Sequence, residues 1–267
     1  MREVDVREVD VHEAAGQPQL RLLAQNGEYI IARPQDGRAL VGEIAGYTPA
    51  TAQQAIDRLE HIARWTQTAE LRNPTSRIPS DAIDISLVMG GRELPPGNLR
   101  LIYQARGAGW EQPVFRVRLR NRWSEVLYCA LVSLSESYAV STGLFPALVR
   151  LAPGQEAMTR ALYGRVPDAL WQQGITERRD ILKVIASTTE FDPSLLNQPS
   201  LDAPRPLGTR SLPQPAGSLD RHLQRLQLRD TEEGGAGERF PDWVTGQIAY
   251  SVVRPLPVAP PAPVQSG

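Results

Sequence analysis

Apolar and polar residues alternate with a period of two over most of the chain, and one stretch near the N-terminal side breaks into a period near 3.6. The opening pentamer Arg2-Glu3-Val4-Asp5-Val6 repeats at once as Arg7-Glu8-Val9-Asp10-Val11. Its valines alternate with charges, the pattern of a half-buried edge strand or a charged arm. Two copies are too few for a solenoid, which needs at least three stacked units. Short strands are predicted over 20–23 and 29–32, with turn signals at Asn26-Gly27 and Asp36-Gly37. Thr48 then stands as a helix N-cap with Pro49 at the first helical position, and Ala52, Ala55, Ile56, Leu59, Ile62 and Ala63 fall on one face. This predicts an amphipathic helix over 49–71, with Glu60 and Arg64 paired one turn apart on its wet face. Asn73-Pro74 stops it, because the residue before proline disfavours the α region.

From about Asp81 the period returns to two. Strands are predicted over 82–89, 99–105, 114–121, 126–134, 138–145 and 149–152, broken by Gly90-Gly91, Pro95-Pro96-Gly97, Gly107, Pro146 and Pro153-Gly154. The 126–134 segment is apolar on both faces, as a central strand should be. A strand over 181–186 and a helical turn near 193–196 close this region. Between 198 and 241 prolines and glycines accumulate, which reads as a linker or flexible insertion. Inside it Leu219, Leu223 and Leu226 follow Ser218 at helical spacing and could dock as a short amphipathic helix. Residues 242–254 read as a strand again, so the insertion leaves the sheet and returns to it. The proline-rich 256–267 segment reads as an extended tail. The expected fold is mostly β with one long helix: a small α+β unit over 1–78, then an antiparallel Ig-like β-sandwich from 79–197 completed by 242–255.

Composition narrows the chemistry. With 267 residues the chain can bury a core without staples, and one cysteine allows neither an internal disulfide nor a Cys-cluster metal site. Only His12, His61 and His222 could add ligands, so no cofactor or metal is expected. The net charge of −1 gives no global footprint for nucleic acid or an anionic membrane. Acids at Glu3, Asp5, Glu8 and Asp10 occupy the place of a secretory h-region, and the longest apolar run, 126–132, is too short to span a bilayer. A cytoplasmic location is the expectation.

Catalytic candidates are few. Cys129 with His61 is the one possible thiol nucleophile and base, but Leu127 and Leu131 share the cysteine's strand face, which reads as a buried structural thiol. No G-x-S-x-G elbow or HExxH is present, and Gly234-Gly235-Ala236-Gly237 has neither a flanking strand and helix nor a P-loop lysine. One pattern has clear geometry: Arg116, Arg118, Arg120 and Arg122 alternate with Phe115, Val117, Leu119 and Asn121. On a strand the four guanidinium groups share one face. That ladder is either a solvated face balanced by Asp84, Glu93 or Glu125, or a docking patch for an acidic protein surface, with nucleic acid the least supported partner.

The segments HIARWTQTAELRNP (61–74), WEQPVFRVRLRNRWSEVLYCALVSLSESYAV (110–140), LFPALVRLAPGQ (144–155), GITERRDILKVIASTTEFDPSLL (174–196) and DWVTGQIAYSVVRP (242–255) together resemble the non-catalytic region that follows the peptidase domain in many bacterial caspase-family proteins. The resemblance covers most of 20–255 outside the linker. It implies a regulatory or recognition module that binds a caspase-like protease domain, its regulator or its target. It carries no catalytic residue over, since Tyr128-Cys129-Ala130 does not match the Q-A-C-x-G signature of such enzymes. Two alternatives stay open: a protease substrate cut in the linker at Arg205, Arg210, Arg221, Arg225 or Arg229, since the resemblance implies a preference for basic residues, and a hydrolase using Cys129.

Overall fold

A computed structural model describes residues 7–11, 20–32, 39–107, 109–146, 148–201 and 242–256. Among them the chain is mostly β, with few helices and several antiparallel sheets. β1 (Arg7–Val11), β2 (Leu20–Gln25), β3 (Glu28–Ala32) and β4 (Ile44–Ala45) form a four-stranded antiparallel sheet in that order. The Asn26-Gly27 signal makes the β2–β3 turn, with φ of +52° and +82°, the left-handed pair that a two-residue hairpin requires. The predicted Asp36-Gly37 turn lies outside the described residues.

Helix α1 (Pro49–Glu70) begins as the sequence predicts. Thr48 Oγ1 accepts from Thr51 N at 3.2 Å while Thr51 Oγ1 accepts from Thr48 N at 2.9 Å, a reciprocal capping box. The Glu60–Arg64 pair forms at 3.8 Å.

The following chain lays down β5 (Ile83–Met89), β6 (Arg92–Glu93), β7 (Leu99–Ile102), a hairpin of β8 (Gln104–Arg106) and β9 (Gly109–Glu111), then β10 (Val114–Asn121) and β11 (Leu127–Leu134). After these come β12 (Val140–Ser141), β13 (Val149–Leu151), β14 (Glu156–Met158), β15 (Leu162–Tyr163) and the short helix α2 (Asp168–Gln172). β16 (Glu177–Ser187), a 3-10 turn (Pro193–Leu196) and β17 (Trp243–Val253) complete the order. Most predicted strands recur, with two differences. The 99–105 strand breaks at Tyr103 into β7 and β8, and of 138–145 only β12 is strand. Tyr138, at φ +60°, turns the chain instead.

Two sheets pack face to face. The front sheet runs β14-β10-β5-β6, with β15 also on β10, and the middle sheet runs β12-β11-β16-β17-β7, with β13 also on β11. Strand alternation divides the middle sheet between two cores. Leu127, Cys129 and Leu131 of β11 and Leu182, Val184 and Ala186 of β16 point to the front sheet, where they meet Leu87, Phe115, Val117 and Leu119. Ala130, Val132, Leu134 and Ile185 point the other way, against Trp65, Ala69 and Leu71 at the end of α1 and Phe191, Leu195 and Leu196 around the 3-10 turn. Gly246 of β17 stands where the sheets approach: a Cβ there would sit 3.3 Å from Val184 Cγ1 and 3.8 Å from the Ile83 carbonyl.

Packing crosses the expected division at residue 78, since α1 contributes to two clusters. The middle of α1 covers the first sheet through Leu59 and Ile62, and its C-terminal end covers the back of the middle sheet. Polar stitches hold it there. His61 Nε2 and Gln198 Nε2 meet the Tyr138 carbonyl at 3.1 and 2.8 Å, Thr245 Oγ1 donates to the Leu71 carbonyl at 3.1 Å, and Asn73 Nδ2 donates to the Trp243 carbonyl at 3.1 Å. The full antiparallel expectation also changes at one edge, where β7 lies parallel to β17.

Lys183, the chain's single lysine, is the most constrained of these stitches. It is 3% exposed, and its ammonium donates to the Ala69 carbonyl at 2.5 Å and to Gln247 Oε1 at 3.0 Å. A cation on the last carbonyls of a helix complements its dipole. Burial nevertheless disfavours the charged form; it and the Arg72 guanidinium, partly offset by Glu70, push Lys183 down to about 8. The unfolded chain thus binds a proton that the folded chain lacks between about pH 8 and the ordinary lysine value, so folding loses stability as pH falls through that window. Relative to Lys183→Met, the wild type should gain stability as pH rises from 7.5 to 10.5, by on the order of 2–3 kcal/mol. Chemical unfolding of both proteins across this range tests it, because Cys and Tyr ionisation cancels in the difference. A flat difference would mean that the ammonium is not desolvated.

Candidate functional site

The arginine ladder forms as predicted. Phe115, Val117 and Leu119 are buried in the front core, and Arg116, Arg118 and Arg120 of β10 stand on the opposite, outer face, followed by Arg122 just past the strand. Cross-strand carboxylates answer most of its charge. Arg118 pairs with Glu93 and lies 4.0 Å from Glu156, Arg120 is 3.5 Å from the same Glu156, and Arg122 is 2.8 Å from Asp84. Asp84 and Glu93 are two of the three balancing acids expected, while Glu156 on β14 takes the place of Glu125. Arg116 approaches Met158 Sδ at 4.0 Å and forms no ion pair among the described residues. Four cations meet three carboxylates, so the ladder is left with one net positive charge. Exposed pairs of this kind add about 0–1 kcal/mol each, and they also spend the field that would steer an acidic partner.

The Cys129–His61 pairing does not form. Cys129 is fully buried in the front core, whereas His61 lies on α1, behind the middle sheet. A sheet separates the two groups, and burial pushes the Cys129 thiol up to about 12. A thiol so placed has almost no thiolate at neutral pH. The other sequence candidates, Leu219, Leu223 and Leu226 and the linker arginines Arg205, Arg210, Arg221, Arg225 and Arg229, lie outside the described residues.

The structure brings together a site that pattern reading passed over. The β8–β9 hairpin, β15 with the segment behind it, and Arg254 at the end of β17 enclose an open cleft of about 810 Å³. Tyr103 anchors its floor: its N–H donates to the Val253 carbonyl at 2.9 Å, and its hydroxyl accepts from Val166 N at 3.2 Å. Gly164 allows the β15 wall to close on the sheets, since a Cβ there would meet Pro113 Cγ at 2.9 Å and Val252 Cγ2 at 3.1 Å. Trp110 and Val114 line the cleft with Tyr163, which is 63% exposed.

Its charges are arranged in pairs. Arg106 bridges to Glu111 at 2.8 Å across the hairpin, and Arg254 pairs with Asp168, which holds that carboxyl below the usual range. The Arg254 guanidinium also lies over Trp171, 4.2 Å from the ring centroid, and 5.7 Å from that of Tyr103. The exposed Tyr163 ring, the partly buried Trp110 ring and the neighbouring arginines have the composition of binding hot spots, where large rings gain contact area at small entropy cost. The one sequence signal that could have found it is Trp110, a large aromatic residue beside Gly107 and Gly109, where a turn residue would otherwise stand. Among the described residues no group of three or more His, Cys, Asp or Glu side chains could hold a metal ion, and no helix is long and apolar enough to cross a membrane.

No protein-family model matches this chain. No curated protein matches it significantly either.

Native Cys129 should react with a small alkylating reagent at pH 8 far more slowly than the unfolded chain, with a rate that tracks denaturant-induced opening. Rapid labelling without denaturant would place the thiol at a surface and restore it as a nucleophile.

Proposed function

We propose that this chain is a non-catalytic binding module, an Ig-like β-sandwich that accompanies a caspase-like cysteine protease in the bacterial cytoplasm and engages the protease domain, its regulator or its target. The observation that carries this reading is the cleft: Trp110, Tyr163 and Val114 stand in a concave surface beside arginines, and its two lining carboxylates, Glu111 and Asp168, are each paired with an arginine. The segments that resemble the caspase-associated region support it as well, since they supply β10, β11, β13, β16 and β17, which contribute to the two cores beside β5, β7 and α1. The binding surface on this reading is the cleft, and the compensated arginine ladder is at most a rim that steers encounter.

Capture of a caspase-like domain encoded upstream or in the genomic neighbourhood tests the proposal. Trp110→Ala combined with Tyr163→Ser should weaken capture about tenfold or more, as loss of two hot-spot rings does. Replacing Arg116, Arg118 and Arg120 together by Gln should change affinity less than about threefold at physiological salt, because exposed charge pairs contribute little there. The reverse ranking would move the interface to the ladder. Absence of capture by the wild type would remove the caspase partner.

A further inference from the structure

A second cavity, of about 410 Å³, lies where the β11–β12 turn, the start of β16, α2 and the segment after β3 come together. That volume falls in the range of roughly 300–1,000 Å³ typical of small-ligand pockets. Its lining shares no residue with the cleft: Val166 and Asp168 belong to the cleft, Pro167 and Leu170 to the cavity. Leu40, Pro167, Leu170 and Ile175 supply an apolar wall, and Glu136 and Arg178 are the two charged residues beside it.

Both charges are held from behind by one carboxylate. Arg178 Nε donates to Asp180 Oδ1 at 3.2 Å, and the Glu136 N–H donates to the same oxygen at 3.1 Å. The Arg179 N–H in turn donates to Glu136 Oε2 at 3.1 Å. The Arg178 and Asp180 side chains are only 19% and 13% exposed. Burial raises the Asp180 carboxyl above its ordinary value, although Arg178 and the Glu136 N–H draw it down. The turn that carries Glu136 is fixed as well, since Tyr138 N donates to the Ser135 carbonyl at 2.9 Å and Leu201 N to that of Ser137 at 3.0 Å. Tyr138 holds a φ of +60°, which non-glycine residues rarely adopt and which gathers at ligand sites.

The terminal amino groups of Arg178 and the Oε1 of Glu136 make no hydrogen bond among the described residues, and the two side chains do not pair with each other. A guanidinium anchored through Nε still offers a planar fork to a carboxylate. Two unlike charges that line one cavity without meeting, next to an apolar wall, match a small zwitterion with an apolar side chain. We propose that this cavity binds a free α-amino acid of that kind, with its carboxylate on the Arg178 fork, its ammonium at Glu136 and its side chain against Leu40, Leu170 and Ile175. Each charge of such a ligand meets its opposite, so neither is desolvated unpaired. The site is independent of the cleft and of any protease partner.

Calorimetric titration of the full-length protein tests it. L-leucine and L-phenylalanine are the probes, with leucinamide lacking the carboxylate and isocaproate lacking the ammonium. Each of these two analogues should bind about tenfold or more weakly than leucine, the share of a charge-assisted hydrogen bond. Arg178→Gln should weaken leucine by a similar factor and leave leucinamide unchanged. Glu136→Gln should weaken leucine and leave isocaproate unchanged; it alters an exposed residue whose amide oxygen still accepts from Arg179 N, so it carries the test even where Arg178→Gln, which also strips Asp180 of its cation, fails to fold. The Trp110→Ala, Tyr163→Ser variant should bind leucine as the wild type does. Absence of binding by both amino acids at about 10 mM would overturn the inference. So would equal binding of leucine and either analogue, or loss of leucine binding in the ring variant, which would move the ligand to the cleft.

Discussion

The whole arrangement depends on one sheet being buried on both faces. β11 and β16 carry apolar residues at odd and even positions alike, so neither face can meet water without cost. The front sheet covers one face; α1 and the 3-10 turn cover the other. Each fully buried leucine, isoleucine or valine contributes about 1.5–3 kcal/mol relative to exposure, and the two clusters place such residues on both sides of the same backbone. The backbone ladder of this sheet is therefore sealed between two dry layers. β17 is central to it, pairing along its full length with β16 from Trp243 to Val253 and at its end with β7.

Covering the back face brings polar groups into the interior, and each is answered. The end of α1 leaves carbonyls that no helical amide reaches. Lys183 and Thr245 supply donors for those of Ala69 and Leu71, both from the sheet that the helix covers. A lysine is an expensive choice for a buried site, as its lowered proton affinity shows. Its length lets one ammonium span from β16 to the helix end while Gln247 takes a second proton.

The cleft follows from the one parallel pairing among the described residues. Because β7 and β17 run the same way, the hairpin that extends β7 and the residues that leave β17 project from the same end of the sheet. Gly164 brings β15 close to Val252, and the Arg254 guanidinium, set between Trp171 and Asp168, gives that wall a fixed edge. The exposed Tyr163 ring and the partly buried Trp110 ring stand on hydrogen-bonded strands, and groups held in place before binding lose less entropy on association. The outer face of the front sheet differs in kind, since its arginines already have carboxylates across the strands.

Elements whose signal is local were legible in the sequence. The Asn26-Gly27 hairpin, the Thr48 cap, the long helix, the alternation of β10 and the return of β17 are decided by turn chemistry, capping and period over a few residues. The two-residue strands and β14 were not, because strands of two or three residues have no period and exist only where a longer neighbour supplies hydrogen bonds. The arginine ladder could be placed on one face from spacing, with Asp84 and Glu93 among its balancing acids, yet its third partner Glu156 lies 36–38 residues away on another strand, so that share of the compensation was invisible. The cleft was hidden for the same reason: Tyr103, Trp110, Tyr163 and Arg254 come from four separate segments. By itself the sequence determined which residues face inward and where α1, β10, β11 and β17 start to within a residue, because those are properties of neighbours along the chain. β16 instead begins at Glu177, four residues before the expected strand, where pairing with β17 extends it. Only the tertiary structure decided that one helix seals the back of the sheet and that β7 lies parallel to β17, because both depend on which distant surfaces exclude water together.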